Sequence, residues 1–338
     1  MNLENKEINT VSNFKIKDNF ECIRYIDNIK EKFELEFNLC KGSSFNTFLI
    51  NNFPQLIIIH PPEIRYSESL ITRINDYFKK YNLNEIIIIT GHINPKTVET
   101  LKKISELFKN LTIICSAPGQ KLITELWRQK KPGENLLSSQ TLPKINLIKK
   151  DILINCINNT LHLIPAPTAR WPGGLMVYER NAEILLSEKV FSCHIAHEEW
   201  SENNRLSTEN DRKHFYNCLM APMASQITSL AEKISEFEIK TIAPLHGPAI
   251  EYSIKSLLND YIRWGENLSV NNPKIALIYA SAYGNTASIG DALAKGITTT
   301  SVEVESINCE FSSNDELVES IKRADGYLLG TPTLGGHA

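Results

Sequence analysis

The sequence has no CxxC pair, no long apolar run and no cluster of basic residues, and each absence excludes a class of protein. Its seven cysteines are odd in number and widely scattered, which argues against disulfides and indicates reduced thiols in a cytosolic setting. No apolar run approaches the ~18 residues of a membrane span, and the polar N-terminal segment lacks the apolar core of a signal peptide. A net charge of -3 excludes a broad basic surface for nucleic acid. We expect a cytoplasmic protein with no transmembrane segment and no nucleic-acid partner.

The 338 residues, of which 42% are hydrophobic and 22% charged, are enough for two domains with proper cores. Before residue 265, short apolar runs alternate with segments of helical period, as in layered α/β proteins. Strands are predicted at 45–50, 56–60, 86–90, 111–116, 152–157, 161–165, 175–178 and 184–187. Helices are predicted at 67–81, 97–109, 119–129, 211–237 and 250–264. Because the last four strands are too close together for helical crossovers, we expect a hairpin-rich sheet and two sheets packed between helical layers.

A polar stretch at 265–273 is interpreted as a linker, because the pattern after it changes to simple βαβ. Strands are predicted at 274–280, 302–307 and 326–330, and helices at 289–295 and 314–323. The first apolar run, KIALIYA, is typical of a buried parallel strand. The region therefore predicts a parallel sheet with helical crossovers.

Two loops at the carboxyl edge of this predicted sheet form a candidate cofactor site. A loop of small and hydroxyl residues that leads into a helix offers a phosphate backbone N–H groups, hydroxyl donors and a favourable dipole. Such a loop alone is more often an ordinary βα turn, and without GxxxxGK[ST] or GxGxxG it disfavours a nucleoside triphosphate or NAD. The second loop favours FMN, with the phosphate on one loop and the ring beside the other. The candidate residues are Ser281, Ala282, Tyr283, Gly284, Asn285 and Thr286, followed by Thr331, Pro332, Thr333, Leu334 and Gly335.

The segment 86–97 has the frame of a metal-binding loop in which most ligand positions hold other residues. A strand that ends at His92 should place the next side chains around one pocket. Carboxylates and a second imidazole would bind a metal there, but the positions hold Asn94, Lys96 and Thr97. Lysine carries a positive charge and no lone pair at neutral pH, so Lys96 opposes a metal ion. The pocket is interpreted as one that has lost its metal.

Residues 281–286 and 330–336 resemble the phosphate loop and the first ring-flanking loop of flavodoxins, and the region before residue 265 resembles the metallo-β-lactamase-like half of flavodiiron proteins. Other matching segments are 42–50, the His92 loop, Trp171 with Pro172, Phe191 with His194, and 243–248. The chain is identified as a member of this family, in the group of diflavin flavoproteins from oxygenic phototrophs. The resemblance implies two irons that reduce oxygen or nitric oxide, and an FMN that delivers the electrons. Phototroph forms add a flavin reductase module that accepts electrons from NAD(P)H or a photosynthetic donor.

The resemblance also supplies the ligand positions of the di-iron site. His92 and His246 match the first and last histidines of the family. The remaining positions are substituted: Asn94 replaces a glutamate, Lys96 an aspartate, Thr97 a histidine, Arg170 a histidine, and Lys189 the bridging aspartate. Two imidazoles alone cannot satisfy a di-iron site, which needs several histidine and carboxylate ligands. We expect no di-iron centre and assign no catalytic residue.

Lys96, Arg170 and Lys189 add positive charge where the family has metal ligands. Burying three cations together is costly unless each is hydrated or paired. One hypothesis is that these side chains replace the metal charge, and that the pocket holds water with chloride, phosphate or a carboxylate such as Glu188. The substitutions also resemble a subgroup of the phototroph proteins thought to work beside a subunit that differs at the same positions. A homologous flavodiiron subunit, in a hetero- or homo-oligomer, is therefore an expected partner.

The flavodoxin-like region is expected to be incomplete. A doubly wound sheet of this kind has five parallel strands in the order 2-1-3-4-5, and only three are predicted before Ala338. The outer edge of the third strand would be unpaired and apolar, which favours pairing with a partner or aggregation. The chain is therefore interpreted as C-terminally truncated, and its FMN affinity is expected to be weak.

The predicted fold is an N-terminal metallo-β-lactamase-like αββα sandwich followed by an incomplete flavodoxin-like doubly wound α/β domain. Its parts are an N-terminal extension (1–30), a sandwich with a degenerate di-iron site (31–264), a linker (265–273) and a truncated FMN domain (274–338). The favoured function is an oxidoreductase subunit that passes electrons from NAD(P)H or a photosynthetic donor through FMN toward reduction of oxygen to water. The alternative is a non-catalytic partner subunit, a pseudoenzyme or a fragment. A metallo-β-lactamase-like hydrolase is disfavoured because the metal-ligand set is missing.

Overall fold

A computed structural model describes residues 10–28, 41–129, 141–168, 170–266, 273–300 and 302–333. The chain divides into two units, Met1–Glu266 and Asn267–Ala338. Within the described residues, no helix has both the length and the apolar character needed to cross a membrane.

In the described part of the first unit, seven strands form one sheet in sequence order. They are β1 (Thr10–Lys17), β2 (Phe20–Asp27), β3 (Ser43–Asn52), β4 (Gln55–Ile59), β5 (Glu85–Ile89), β6 (Leu111–Ser116) and β7 (Lys144–Ile148). Strands β1 to β4 pair antiparallel, whereas β4 to β7 pair parallel. The parallel strands are connected through α1 (Ser67–Tyr81), α2 (Pro95–Leu107) and α3 (Ala117–Arg128). The nearly continuous apolar sequences of β4 and β5 suit strands that are covered on both faces.

Five further strands of the described residues form a second sheet in the order β12-β11-β10-β9-β8. They are β8 (Ile152–Asn155), β9 (Thr160–Pro165), β10 (Leu175–Glu179), β11 (Ile184–Glu188) and β12 (Thr241–Pro244). Strands β8 to β11 pair antiparallel, so the predicted hairpin-rich sheet is confirmed. Strand β12 pairs parallel to β11 after a helical crossover that contains α4 (Glu209–Phe215) and α5 (Ala224–Ser235), and α6 (Ile254–Glu266) follows it.

Among the described residues of the first unit, three hydrophobic clusters join these layers. One joins the first sheet to α1, α2 and α3, with Leu70 and Ile88 among its buried members. A second lies between the two sheets and includes Phe48 of the first sheet and Val177 of the second. The third packs α4, α5 and α6 on the second sheet, around Tyr261. The order of layers is helix, sheet, sheet, helix, which confirms the predicted αββα sandwich.

The predicted N-terminal extension is corrected, because residues 10–27 form the first two strands of the sandwich. All residues of β2 are buried, although its sequence FECIRYID is rich in charge. The charged side chains of β2 have polar partners. Glu21 forms an ion pair with Arg73 at 2.5 Å, and the guanidinium of Arg24 donates a hydrogen bond to Asn46 at 2.8 Å. These partners lie far away in sequence. The sequence of β2 taken alone therefore resembles that of a surface segment.

The single helix predicted at 211–237 is also corrected. Helix α4 ends at Phe215 and continues as a π-helical turn (Tyr216–Met220) and a 3-10 turn (Ala221–Met223) before α5 begins. Pro222 lies at this break, where a proline removes one backbone N–H and crowds the preceding turn.

The second unit contains β13 (Lys274–Tyr279), α7 (Asn285–Thr298), β14 (Glu303–Asn308), α8 (Asn314–Arg323) and β15 (Gly326–Gly330). In its described residues the three strands pair parallel in the order β14-β13-β15, which is the 2-1-3 order of a doubly wound sheet. The outer edge of β15 carries no strand there, and Tyr327 and Leu329 are exposed.

The predicted linker begins two residues too early, since α6 reaches Glu266. The absence of a side chain at Gly265 allows the end of α6 to pack closely on α5, because a Cβ at that position would lie 2.1 Å from the Thr228 hydroxyl. Residues 267–272 of the predicted linker lie outside the described residues.

Candidate functional site

A small cavity lies where strands of both sheets of the first unit end. His92 follows β5, Lys189 follows β11, and His246 follows β12. Each of these side chains is buried and lines the cavity, whose volume is about 30 Å³. A cavity of that size has room for roughly one or two water molecules. The structure therefore brings together the two predicted remnant ligands and one of the substituted positions.

His246 is held in a single tautomer by its two neighbours. Its Nδ1 lies 2.8 Å from the carbonyl oxygen of Ser44, so Nδ1 carries the proton and donates. Nε2 is then the lone-pair nitrogen, and the Lys189 ammonium donates to it at 2.9 Å. Burial, with the charges of Lys189 and His194, holds the pKa of His246 well below its usual value of 6.5. A neutral imidazole is the form that accepts a hydrogen bond from lysine.

His92 is held in the same way by Asn94. The Oδ1 atom of Asn94 accepts from Thr97 N at 2.8 Å and caps the first turn of α2. The amide Nδ2 therefore faces His92 Nε2, at 3.0 Å, and an amide nitrogen can only donate. The Nε2 atom of His92 is consequently an acceptor whose lone pair is already used.

This donor set does not fit a pair of iron ions. Both remnant imidazoles have their Nε2 lone pair occupied by an N–H donor from a substituted ligand position. The substituted positions supply no carboxylate, and the described residues contain no group of three or more His, Cys, Asp or Glu side chains that could hold a metal. Iron sites of this kind need several imidazole and carboxylate ligands with free lone pairs.

The predicted cluster of three cations is corrected, because only Lys189 lines the cavity. The Lys96 side chain is 65% exposed and lies 3.4 Å from a carboxylate oxygen of Glu63. Arg170 packs its guanidinium over the ring of Trp171 at 5.5 Å. Lys96 lies in the first turn of α2, where a long side chain reaches solvent and a carboxylate partner without entering the core. Thr97 is buried but does not line the cavity either.

Two acidic side chains and one arginine that line the cavity were not predicted from the sequence. Asp27, Glu63 and Arg65 line it, and Arg65 Nη1 lies 2.5 Å from Asp27 Oδ2. A sequence signal existed for two of them, because residues 63–65 follow β4, whose carboxyl end meets that of β5. Glu188, the carboxylate proposed from sequence, accepts from Leu175 N at 2.8 Å.

His194 lies directly behind this site. Its ring centroid is 4.6 Å from that of His246, and its Nδ1 is 2.6 Å from the Ser43 hydroxyl. The side chain is buried, and it adds to the depression of the His246 pKa.

The candidate phosphate loop of the second unit connects β13 to α7. Gly284 has φ +81 and immediately precedes α7, and a Cβ there would meet no atom within 4 Å. The Ser281 hydroxyl accepts from Ala287 N at 3.0 Å, which closes the loop on the first turn of the helix. Ser281 N donates to a carboxylate oxygen of Glu310 at 3.2 Å. A negatively charged group is thus already bound by this loop, and its donors fit the phosphate of FMN.

Gly330 brings the second loop beside the first. A Cβ at Gly330 would lie 3.0 Å from the Tyr279 Cβ and 3.2 Å from a methyl carbon of Thr286. Ala280 N donates to the Gly330 carbonyl at 3.0 Å, and the loop at Thr331, Pro332 and Thr333 follows. Leu334 and Gly335, which were predicted to flank the flavin, lie outside the described residues.

An αββα sandwich and a parallel flavodoxin-like unit in one chain are the features of the flavodiiron class of proteins. A family model described as ODP family beta lactamase matches residues 44–247, more than half of the chain, and the chain belongs to this family.

The relatives named diflavin flavoprotein A include one from Nostoc sp. that is 34% identical over 308 residues, 91% of this chain and 52% of the relative. Another, from Synechocystis sp., is 33% identical over 309 residues, 91% of this chain and 50% of the relative. This chain therefore spans about half the length of these relatives.

Among solved structures, a metal-soaked flavodiiron core from Synechocystis sp. is similar with a TM-score of 0.71 and 30% identity, over 97% of this chain and 79% of that one. The rubredoxin oxygen:oxidoreductase from Desulfovibrio gigas shares the fold, with a TM-score of 0.64 and 18% identity, over 96% of this chain and 78% of that one.

Proposed function

We propose that this chain is a flavodiiron-type oxidoreductase subunit that carries FMN and has a closed iron pocket. Electrons from NAD(P)H or a photosynthetic donor would pass through the second unit toward oxygen, which takes four electrons and four protons to give two water molecules. Because the pocket of this chain does not fit iron, the oxygen chemistry is assigned to the metal of a homologous partner subunit. FMN, when bound, supplies one- and two-electron transfer.

The observation that carries the proposal is the contrast between the two sites. In the first unit, Lys189 and Asn94 occupy the lone pairs of His246 and His92. In the second unit, the backbone N–H of Ser281 donates to a carboxylate, and the Ser281 hydroxyl accepts from Ala287 N in the first turn of α7. Loss of the metal site beside a retained flavin site favours a subunit that transfers electrons without its own metal chemistry. The diflavin flavoprotein relatives support the oxidoreductase class.

Each residue then has a defined task. The loop at 281–286 would bind the phosphate, and Gly330 would keep the second loop close enough to flank the ring. Lys189 would occupy the Nε2 lone pair of His246, and Asn94 that of His92, so neither imidazole offers that nitrogen to a metal ion.

The alternative is a non-catalytic partner subunit in which neither site binds its cofactor. It is favoured by the carboxylate of Glu310 on the phosphate loop, since this contact must break before a phosphate can bind.

One experiment separates these functions: the absorbance spectrum and the iron content of the purified chain, measured on the same sample after incubation with FMN and ferrous iron and removal of unbound ligand. Flavin bands with substoichiometric iron are the expected result. Protein with neither flavin nor iron would support the non-catalytic alternative. About two irons per chain would contradict the closed pocket.

A further inference from the structure

The side chain of Glu310 reaches the candidate phosphate loop from the neighbouring strand. Strand β14 ends at Asn308, beside the end of β13, and Cys309 N donates to the Tyr279 carbonyl at 2.8 Å. The amide side chain of Asn308 accepts from Glu310 N at 3.0 Å, which fixes the turn. From this position, Oε2 of Glu310 accepts from the backbone N–H of Ser281 at 3.2 Å. The contact is thus produced by the parallel pairing of β13 and β14.

No side-chain cation competes with this carboxylate within residues 273–333. The basic residues of this range all lie away from the loop: Lys274, Lys295, Lys322 and Arg323. Lys274 begins β13 and is ~17 Å from its carboxyl end. Lys295 is in the last turn of α7, ~15 Å from the first turn. Lys322 and Arg323 end α8, which runs away from the carboxyl edge of the sheet.

The attraction of the loop for an anion therefore comes from backbone N–H groups, hydroxyls and the α7 dipole. These are the donors that a carboxylate and a phosphate both need. Two anions a few ångströms apart repel each other strongly when no cation lies between them. Glu310 is exposed, so its side chain can turn into solvent when another anion takes the Ser281 N–H.

We propose that Glu310 is an internal competitor for the phosphate loop and sets the affinity of the second unit for phosphate-bearing flavin. The inference rests on the proposed function, because the phosphate concerned is that of FMN. Riboflavin has the same ring system without the phosphate, so its binding does not require Glu310 to leave. The carboxylate therefore lowers the preference of the chain for FMN over riboflavin.

The test measures the dissociation constants of FMN and riboflavin, by flavin fluorescence, for the unmodified chain, Glu310→Gln and Glu303→Gln. Glu303 begins β14, the strand that ends just before Glu310, and so lies at the opposite edge of the sheet. Its substitution makes the same charge change far from the loop. Glu310→Gln is expected to bind FMN about ten-fold more tightly and riboflavin with unchanged affinity. Glu303→Gln is expected to match the unmodified chain for both flavins.

Equal FMN affinity in the unmodified chain and in Glu310→Gln would overturn the inference, as would an equal gain for riboflavin. A second measurement distinguishes failure of this inference from failure of the proposed function. It is a titration with inorganic phosphate, followed through the NMR signal of the Ser281 amide. If neither variant binds FMN but phosphate shifts this signal at lower concentration in Glu310→Gln, the competition stands and the FMN function fails. If phosphate leaves the Ser281 amide unchanged in both, the competition fails as well.

Discussion

The ammonium nitrogen of Lys189 lies 2.9 Å from Nε2 of His246, the one ring nitrogen that the Ser44 carbonyl leaves available. Lys189, which is predicted to replace a bridging aspartate of the family, thus donates to His246, which is predicted to match a metal ligand. The lysine is 3% exposed, so its charge is held within the fold and its donor is satisfied by a neutral imidazole. We propose that this hydrogen bond replaces a metal–ligand bond of the family.

Lys189→Met should destabilise the first unit, because it leaves His246 Nε2 without this donor in the core. A loss of about 1–3 kcal/mol in the free energy of unfolding is expected in urea. The pKa of His246 should also rise, since one of the charges that depress it is removed. Lys96→Met is the matched control, because that side chain is mostly exposed and its ion pair contributes little. Equal losses in the two variants would contradict the role given to Lys189.

Restoring the family ligands should restore iron binding only when Lys189 is also replaced. The variant with Asn94→Glu, Lys96→Asp, Thr97→His, Arg170→His and Lys189→Asp is expected to take up iron. The same variant with Lys189 retained should take up little, because the ammonium blocks His246 and repels a dication. Elemental analysis of the iron bound per chain measures the uptake of the two variants. Equal uptake would show that Lys189 does not exclude the metal.

Gly330→Ala should displace the second flavin loop, because the new methyl group would press on Tyr279 and Thr286. The second unit is expected to lose about 1–3 kcal/mol of stability, and FMN should bind more weakly. Gly326→Ala, at the other end of β15, is the control, since a Cβ there meets no atom within 4 Å. Thermal unfolding and flavin titration measure the two effects. A loss of FMN affinity in Gly326→Ala as large as in Gly330→Ala would rule out this explanation.

The buried ion pair of Glu202 and Arg212 should contribute strongly to the stability of the first unit. Arg212 Nη2 lies 3.1 Å from Glu202 Oε2, and both side chains are inaccessible to solvent. Glu202→Gln leaves an uncompensated guanidinium in the core, so a loss of about 3 kcal/mol is expected in urea unfolding. Asp18→Asn removes a carboxylate from the exposed pair with Lys15 and should cause no measurable loss. Similar stabilities of the two variants would refute this prediction.

His60 should make the first unit sensitive to acid. Burial lowers the pKa of His60 to about 3. In the unfolded chain the imidazole is protonated below pH ~6.5, so stability is full above that pH and falls by about 1.4 kcal/mol per pH unit between roughly 6.5 and 3.

His60→Asn tests this effect, because asparagine tolerates the backbone conformation at φ 57 and does not titrate. The decline of unfolding free energy between pH 7 and 5 should become shallower in this variant. His197→Asn, on a histidine that is only partly buried, should leave the decline unchanged. An unaltered decline in His60→Asn would assign the acid sensitivity to other groups.

Much of the fold could be predicted because it depends on local pattern. Helix α1, helix α8, strand β6 and strand β15 have the predicted bounds, since unbroken periodicity and nearby capping signals define them. Strand β2 could not be predicted, because its buried charges are satisfied by Arg73, Asn46 and other residues distant in the chain. The break after α4 was signalled by Pro222, but the helical period around it masked the signal.

The sequence by itself determined which residue types stand at the positions that the family resemblance assigns to metal ligands, and none of those predicted positions holds a carboxylate. It also determined the two loops of the candidate flavin site, because strand and loop order follow from local pattern. Only the tertiary structure decided that Lys189 lines the cavity while Lys96 and Arg170 do not, and that Glu310 lies on the phosphate loop. The physical reason is that the direction of a long charged side chain depends on burial and on partners far away in sequence, which residue order alone does not specify.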